Sequence, residues 1–386
     1  PNYSVIGGQE YQGYYANGLI DRNLIWEKIK EFNFGVDFSV LQNRINLTAD
    51  TYRRLSDGQI MKATVPLETG EGSITTNIGA VRNTGIELGL NLGVIRNKNF
   101  TWDVNLAFAR NWSKITELPN GDDVSNNWFI GERLNVLRDY TSAGIITTDG
   151  ITMRTKDGDR HYTLQEVYDT FGPGGQGLKW YEGQMAVNDW NNDGKINDED
   201  KQIFGCTDPK WTGSLSSTMT YKGFDFSFML YTKQGQWSRS YFHEQYMNYG
   251  DRGRQKVNFD YYIPAGTPVL DKNTGDVTYL SEAHIGKYPY PNNTEKTGGG
   301  YFSSSSAAVR YHKTSFVKVK NITLGYTFPK AWLSKIAVKH LRLYVNVINP
   351  FCFTDYEGFD PEWASANLTN GGPASVTYQI GANIKF

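Results

Sequence analysis

The chain has 386 residues, with 39 Lys and Arg against 40 Asp and Glu and a formal net charge of -1. That balance excludes the basic excess of an electrostatic nucleic-acid binder, and no run of 18 apolar residues exists to make a membrane-spanning helix. Barrel strands are short and only half apolar, so a membrane location through strands stays open.

The opening PNYSVIGGQE has neither the basic start nor the apolar run of a signal peptide and reads as part of a longer protein. From there, period-two alternation predicts strands in pairs. Phe32, Phe34, Val36, Phe38 and Val40 alternate with Asn33, Gly35, Asp37 and Ser39, and Ile45, Leu47 and Ala49 follow across a short link. Residues 86–94 and 100–108 form the second pair across Arg96 to Asn99, and 212–221 and 224–231 the third across Lys222-Gly223. Residues 316–328 and 341–348 form the fourth, and 376–386 a last strand on its own. In the fourth pair Val317 and Val319 share one parity, whereas Ile322, Leu324, Tyr326 and Phe328 take the other. One extra residue near Lys320-Asn321 repairs the phase, which predicts a β-bulge there.

Links within pairs are short, but those between pairs span about 55–83, 111–211, 232–315 and 349–375. Long loops at one end and short turns at the other are how outer-membrane barrels are built, whereas sandwiches keep both ends short. Phe100, Trp102, Val104, Leu106 and Phe108 make an apolar stripe with aromatics at both ends, suited to lipid and its interfaces. The opposite faces carry Asp37, Asp50, Glu87, Asp103, Asp225 and Arg342, which would ruin a sandwich core but suit a wet lumen. The expected fold is all-β, a transmembrane antiparallel β-barrel with long extracellular loops. Nine predicted strands cannot close an antiparallel barrel, so the chain reads as part of a larger one.

The loop from Asp189 to Asp200 fits the twelve-position calcium pattern: Asp189, Asn191 and Asp193 at positions 1, 3 and 5, Gly194 at 6, the Lys195 carbonyl at 7 and Asp200 at 12. It has no second loop, and Gly205 and Pro209 leave no room for an exit helix, so a sensor is excluded. Two readings remain: a single Ca2+ clip in an extracellular loop, or an acidic loop held by its own Asx turns. No organic cofactor is indicated. Cys206 and Cys352 make neither a disulfide framework nor a metal site, and a bridge between them is left open. The five histidines have no ligand spacing, and the glycine runs lack a following GK[ST], so nothing points to an enzyme. Among the loop aromatics, Trp128, Trp180, Tyr181, Trp237 and Tyr241 are the substrate-binding candidates, and packing between loops is the plainer alternative for each.

NIGAVRNTGIELGLN (77–91), NDGKINDEDKQIFGCTDPKWTGSLSSTMTYKGFDFSFML (192–230), SFVKVKNITLGYTFP (315–329), LRLYVNVINPFCFTDYEGFDPE (341–362) and the closing YQIGANIKF together resemble the C-terminal barrel portion of SusC/RagA-type TonB-dependent outer-membrane transporters. Phe386, preceded at alternate positions by Ile384, Ile380 and Tyr378, looks like the insertion signal of outer-membrane proteins. The resemblance implies a 22-stranded barrel in the bacterial outer membrane, with a plug domain that lies outside residues 1–386. It implies a SusD-like surface lipoprotein as partner, energy supplied through the TonB system, and oligosaccharide or oligopeptide cargo. On this reading the segment does not transport without the plug and the rest of the barrel. The alternatives are a calcium-clipped surface protein that binds or degrades glycans, and a passive porin or adhesin barrel.

Overall fold

The computed structural model describes residues 2–6, 8–13, 19–70, 72–77, 79–118, 121–172, 178, 181–246, 260–271, 273–290, 309–334, 338–365 and 375–386. Two compact units emerge, residues 1–90 with 107–135 and residues 91–106 with 136–386. Nine long strands dominate: β1 (Lys28–Val40), β2 (Ile45–Asp57), β3 (Ala80–Arg96), β4 (Phe100–Glu117), β5 (Trp211–Tyr221), β6 (Phe224–Gln234), β7 (Phe316–Thr327), β8 (His340–Thr354) and β9 (Thr377–Lys385). They are hydrogen-bonded in sequence order, and β3 and β4 run through both units.

In the first unit, β1 and β2 pair antiparallel from Lys28 opposite Asp57 to Val40 opposite Ile45. Thr51 Oγ1 donates to the Gly85 carbonyl at 3.1 Å, tying β2 to β3. The Tyr52 ring covers the bare backbone of Gly85, and a Cβ there would lie 2.3 Å from the ring and force it to shift. A three-stranded sheet of Leu19–Ile20, Ser73–Asn77 and Ile60–Thr64 stands beside this ladder.

In the second unit, the pairs β5–β6, β6–β7, β7–β8 and β8–β9 are all antiparallel. Lys222 (φ 46°) and Gly223 (φ 93°) make the two-residue turn between β5 and β6, the left-handed pair that matches the twist of a hairpin. The bulge lies where the parity slip requires it. Opposite β6 the register passes from Val319 to Asn321 while β6 advances one residue, so Lys320 is extra. Opposite β8 the same step spans Asn349-Pro350, and Asn349 has a φ of 53°.

The side chains are distributed inside out relative to a soluble protein. Leu324, Leu343 and Val345, on interior strands of the ladder, are 52%, 45% and 44% exposed, and Phe224 is 52% exposed. The other face is where polar groups pair. Arg342 bonds Asp225 through two nitrogens, with Nε to Oδ1 at 2.9 Å. Alternating strands whose apolar side faces outward fit a lipid boundary. No helix among the described residues is long and apolar enough to cross a membrane.

The strands run further than the alternation predicted, β2 to Asp57 and β4 to Glu117. The expectation of plain loops between pairs also needs correction. The segment before β5 carries hairpins and the helix α1 (Leu164–Phe171), opened by a reciprocal capping box between Thr163 and Glu166. Ile146, Ile151, Met153, Tyr162, Val167, Phe171, Tyr181 and Ala186 form its core.

Candidate ligand and ion sites in the loops

The acidic loop lies between two short strands, Met185–Val187 and Gln202–Cys206, instead of two helices. Its carboxylates turn inward onto backbone amides. Asp189 accepts from the nitrogens of Asp193 (3.2 Å) and Gly194 (3.0 Å), and Asp200 from those of Asn191 (3.2 Å) and Asn197 (2.8 Å). Asn191 Oδ1 accepts from Asp193 N at 3.1 Å, and Asp193 Oδ1 from Lys195 N at 2.8 Å. Gly194 takes a φ of 77°, the left-handed turn the pattern asks of its sixth position.

Asp189 and Asp200 are both fully buried. Burial raises the Asp200 carboxyl above the usual range, and the Asp189 charge adds to the rise, against the amides that lower it. The Tyr162 hydroxyl is buried beside Asp189. Two buried carboxylates with a phenol against one of them are an oxygen-rich set that suits a hard cation. Among the described residues no three His, Cys, Asp or Glu side chains converge on one point, and the loop closes on its own Asx turns.

The aromatic candidates are scattered. Trp128 bridges Asp123 through backbone bonds of 2.8 and 2.9 Å. Trp237 packs its edge on Phe204 at 5.5 Å between centroids, with Lys313 Nζ 5.6 Å from its ring. Tyr241 lies under the Arg239 guanidinium at 5.2 Å. Tyr181 is corrected: it is fully buried in the core beneath α1, 5.8 Å from Tyr168, so it cannot face a substrate. Trp180 lies outside the described residues. Tyr378, Ile380, Ile384 and Phe386 are exposed at alternate positions along and just beyond β9. No disulfide joins Cys206 and Cys352.

Two clusters were missed by sequence reasoning. Ser240, His243, Tyr288, His312, Tyr356 and Glu357 meet from four separate stretches of the connections. His243 and His312 stack at 3.6 Å, and Ser240 Oγ lies 2.6 Å from His243 Nδ1 and 2.5 Å from the Tyr356 hydroxyl. His243 Nε2 is 3.2 Å from the Tyr288 hydroxyl, which donates to Glu357. Burial, then the His312 and Lys287 charges, push His243 down to about 2, so its ring is neutral. The second is a cavity of about 470 Å³ against the acidic loop, with Trp190, Phe204, Arg154 and Gln202 in its wall. No spacing rule finds either, because each joins residues distant in sequence.

Residues 2–349 match the family model described as TonB dependent receptor-like, beta-barrel. The chain belongs to that family. It is therefore part of an outer-membrane β-barrel, which accounts for the exposed apolar side chains of its strands. Among curated relatives, TonB-dependent receptor SusC of Bacteroides thetaiotaomicron is 29% identical, over 98% of this chain and 34% of the relative. TonB-dependent receptor P39 of Formosa agariphila is 28% identical, over 97% of this chain and 37% of the relative. The chain thus spans about a third of the length of these receptors. A solved structure of the RagAB peptide transporter superposes with a TM-score of 0.65 at 20% identity, covering 100% of this chain and 38% of that one. In this TonB-dependent receptor barrel, the acidic loop, the histidine cluster and the cavity all lie in connections between membrane strands.

Proposed function

We propose that this barrel portion serves a TonB-dependent importer of oligosaccharides or oligopeptides. The carrying observation is a ladder of alternating strands with its apolar face exposed, in a chain of the TonB-dependent receptor family. A plug and a TonB contact would come from outside residues 1–386, and a SusD-like surface lipoprotein would cover the loops. Both cargo classes are those that the family resemblance implies. The relatives are receptors and a transporter, which favours import over a glycan-degrading activity.

Within this reading the acidic loop is a calcium clip. Asp189, Asn191, Asp193, the Lys195 carbonyl and Asp200 would hold the ion, which would offset the repulsion between the two buried carboxylates. Asp at position 12 is shorter than the usual Glu, consistent with the weak affinities of extracellular modules.

The test is uptake of labelled oligosaccharides and oligopeptides by cells with and without a working TonB system, together with identification of the proteins that co-purify. Uptake abolished by TonB loss, with a surface lipoprotein in the complex, supports the proposal. Uptake indifferent to TonB would leave a passive porin.

A further inference from the structure

We propose that the cavity walled by Trp190, Phe204, Arg154, Asp159, Gln202 and Thr152 is a binding subsite for a neutral oligosaccharide. At about 470 Å³ it falls within the roughly 300–1,000 Å³ of ligand pockets. The assignment rests on the import reading for its biological setting and deepens it by naming a site and a ligand class.

The wall begins with an alternating hairpin, residues 151–155 against 158–162. Ile151, Met153 and Thr155 turn into the core, which leaves Thr152 and Arg154 on the cavity side. Asp159 is the cross-strand partner of Arg154. Opposite charges so placed ordinarily pair, yet among the described residues no ion pair joins them. A guanidinium with donors only and a carboxylate with acceptors only therefore line one face together, with the Gln202 amide supplying both kinds of group. Their charges cancel, so the lining favours neither an anion nor a cation. Sugar hydroxyls both donate and accept, so a ring can use the donor-only and the acceptor-only group of this face together. Trp190 and Phe204 add apolar ring surface on which the C–H faces of a sugar can stack.

The walls are fixed in advance. The Trp190 carbonyl accepts from Lys156 N at 2.8 Å, pinning the second position of the acidic loop to the hairpin. Asn188, almost fully buried, accepts from Arg154 N and donates to Thr141 Oγ1, both at 2.8 Å. Phe204 is braced by Trp237 and Tyr311, with centroids at 5.5 and 5.2 Å. Rigid walls spare the ligand the entropy of ordering them.

The experiment titrates full-length protein in detergent with short gluco-, manno-, galacto- and fructo-oligosaccharides and with short neutral peptides, by calorimetry and tryptophan fluorescence. Arg154→Gln and Gln202→Ala change exposed or half-exposed side chains, and their melting curves show whether the fold is kept. At least one oligosaccharide should bind, and each variant should weaken it about 10-fold or more, the loss expected for a hydrogen bond to a charged or fixed polar group. Equal binding by wild type and variants overturns the subsite, as does a panel in which no oligosaccharide binds. Peptide binding that these variants weaken overturns the ligand class. TonB-dependent uptake with an unresponsive cavity sinks the subsite alone, and TonB-independent uptake with a responsive one sinks the importer alone.

Discussion

Lys318 Nζ lies 2.9 and 2.8 Å from the two carboxylate oxygens of Asp360, 42 positions away, and both side chains are all but excluded from water. Glu362 extends the pair, reaching Lys318 at 2.5 Å and the bulge residue Lys320 at 2.7 Å. The loop after β8 is thus clamped onto β7 beside its bulge. Removing one member strands a buried charge, at a cost of about 3–5 kcal/mol. Lys318→Met should therefore lower the melting temperature and hasten protease cleavage around residues 355–365. The double variant Lys318→Met/Asp360→Leu should recover most of the loss. Equal cleavage of wild type and Lys318→Met would show that the clamp contributes nothing.

Arg342 reaches Asp225 across an intervening strand, and it can do so because Gly325 lies between them. A Cβ at 325 would approach Asp225 Oδ1 to 2.5 Å and Arg342 Nη2 to 2.6 Å. Gly325→Ala should cost about 1–3 kcal/mol by overpacking, visible as a lower temperature for the gel-mobility shift of the heated barrel. In an Asp225→Asn/Arg342→Gln background the same change should have a much smaller effect.

The His243 ring makes the loops acid-sensitive. Its folded pKa of about 2 lies below its ordinary value of 6.5, so unfolding takes up a proton as pH falls through 6.5. Stability from this group is complete above that value and declines toward the folded pKa, by at most about 1.4 kcal/mol per pH unit. Amide protection in residues 237–244, corrected for the intrinsic exchange rate, should fall as the pH drops from about 7.5 to about 5, and His243→Gln should flatten that slope. A slope unaltered in the variant would assign the sensitivity elsewhere.

The acidic loop gives the opposite sign. Asp200 is raised in the fold, so its ionisation above the ordinary carboxylate range costs stability at neutral pH. A divalent cation should reverse that cost, adding about 2.7 kcal/mol at a hundred times its dissociation constant. Calcium should then slow proteolysis of residues 189–206, and Asp200→Asn should remove the effect. Wild-type cleavage unchanged by calcium would reduce the loop to its Asx turns.

The strands were legible because membrane barrels impose a strict two-residue period. A single parity break between Val319 and Ile322 located the bulge near Lys320-Asn321, and the strand register assigns it to Lys320. The acidic loop was legible for a similar reason, since its ligand positions are local. Tyr181 misled because aromatic type does not separate a ring at a surface from one under a helix. The cavity escaped because Arg154, Trp190 and Gln202 come from separate strands and a loop, brought together only by pairing. Thr163 and Glu166 did carry a readable helix start, hidden by the assumption that long connections in barrels are irregular.

The chain of contacts around His243 has a direction. Glu357 stays ionised: burial works against that, but Lys287 and Tyr288 donate to it and hold its carboxyl low. An ionised carboxylate only accepts, so the Tyr288 hydroxyl proton points to it and its oxygen is left to accept from His243 Nε2. A neutral ring protonated at Nε2 offers Nδ1 as an acceptor. Ser240 therefore donates to Nδ1 and takes the hydroxyl proton of Tyr356 in return. Every proton from Tyr356 to Glu357 is oriented the same way, and the tautomer of a ring in one loop is dictated by a carboxylate in another.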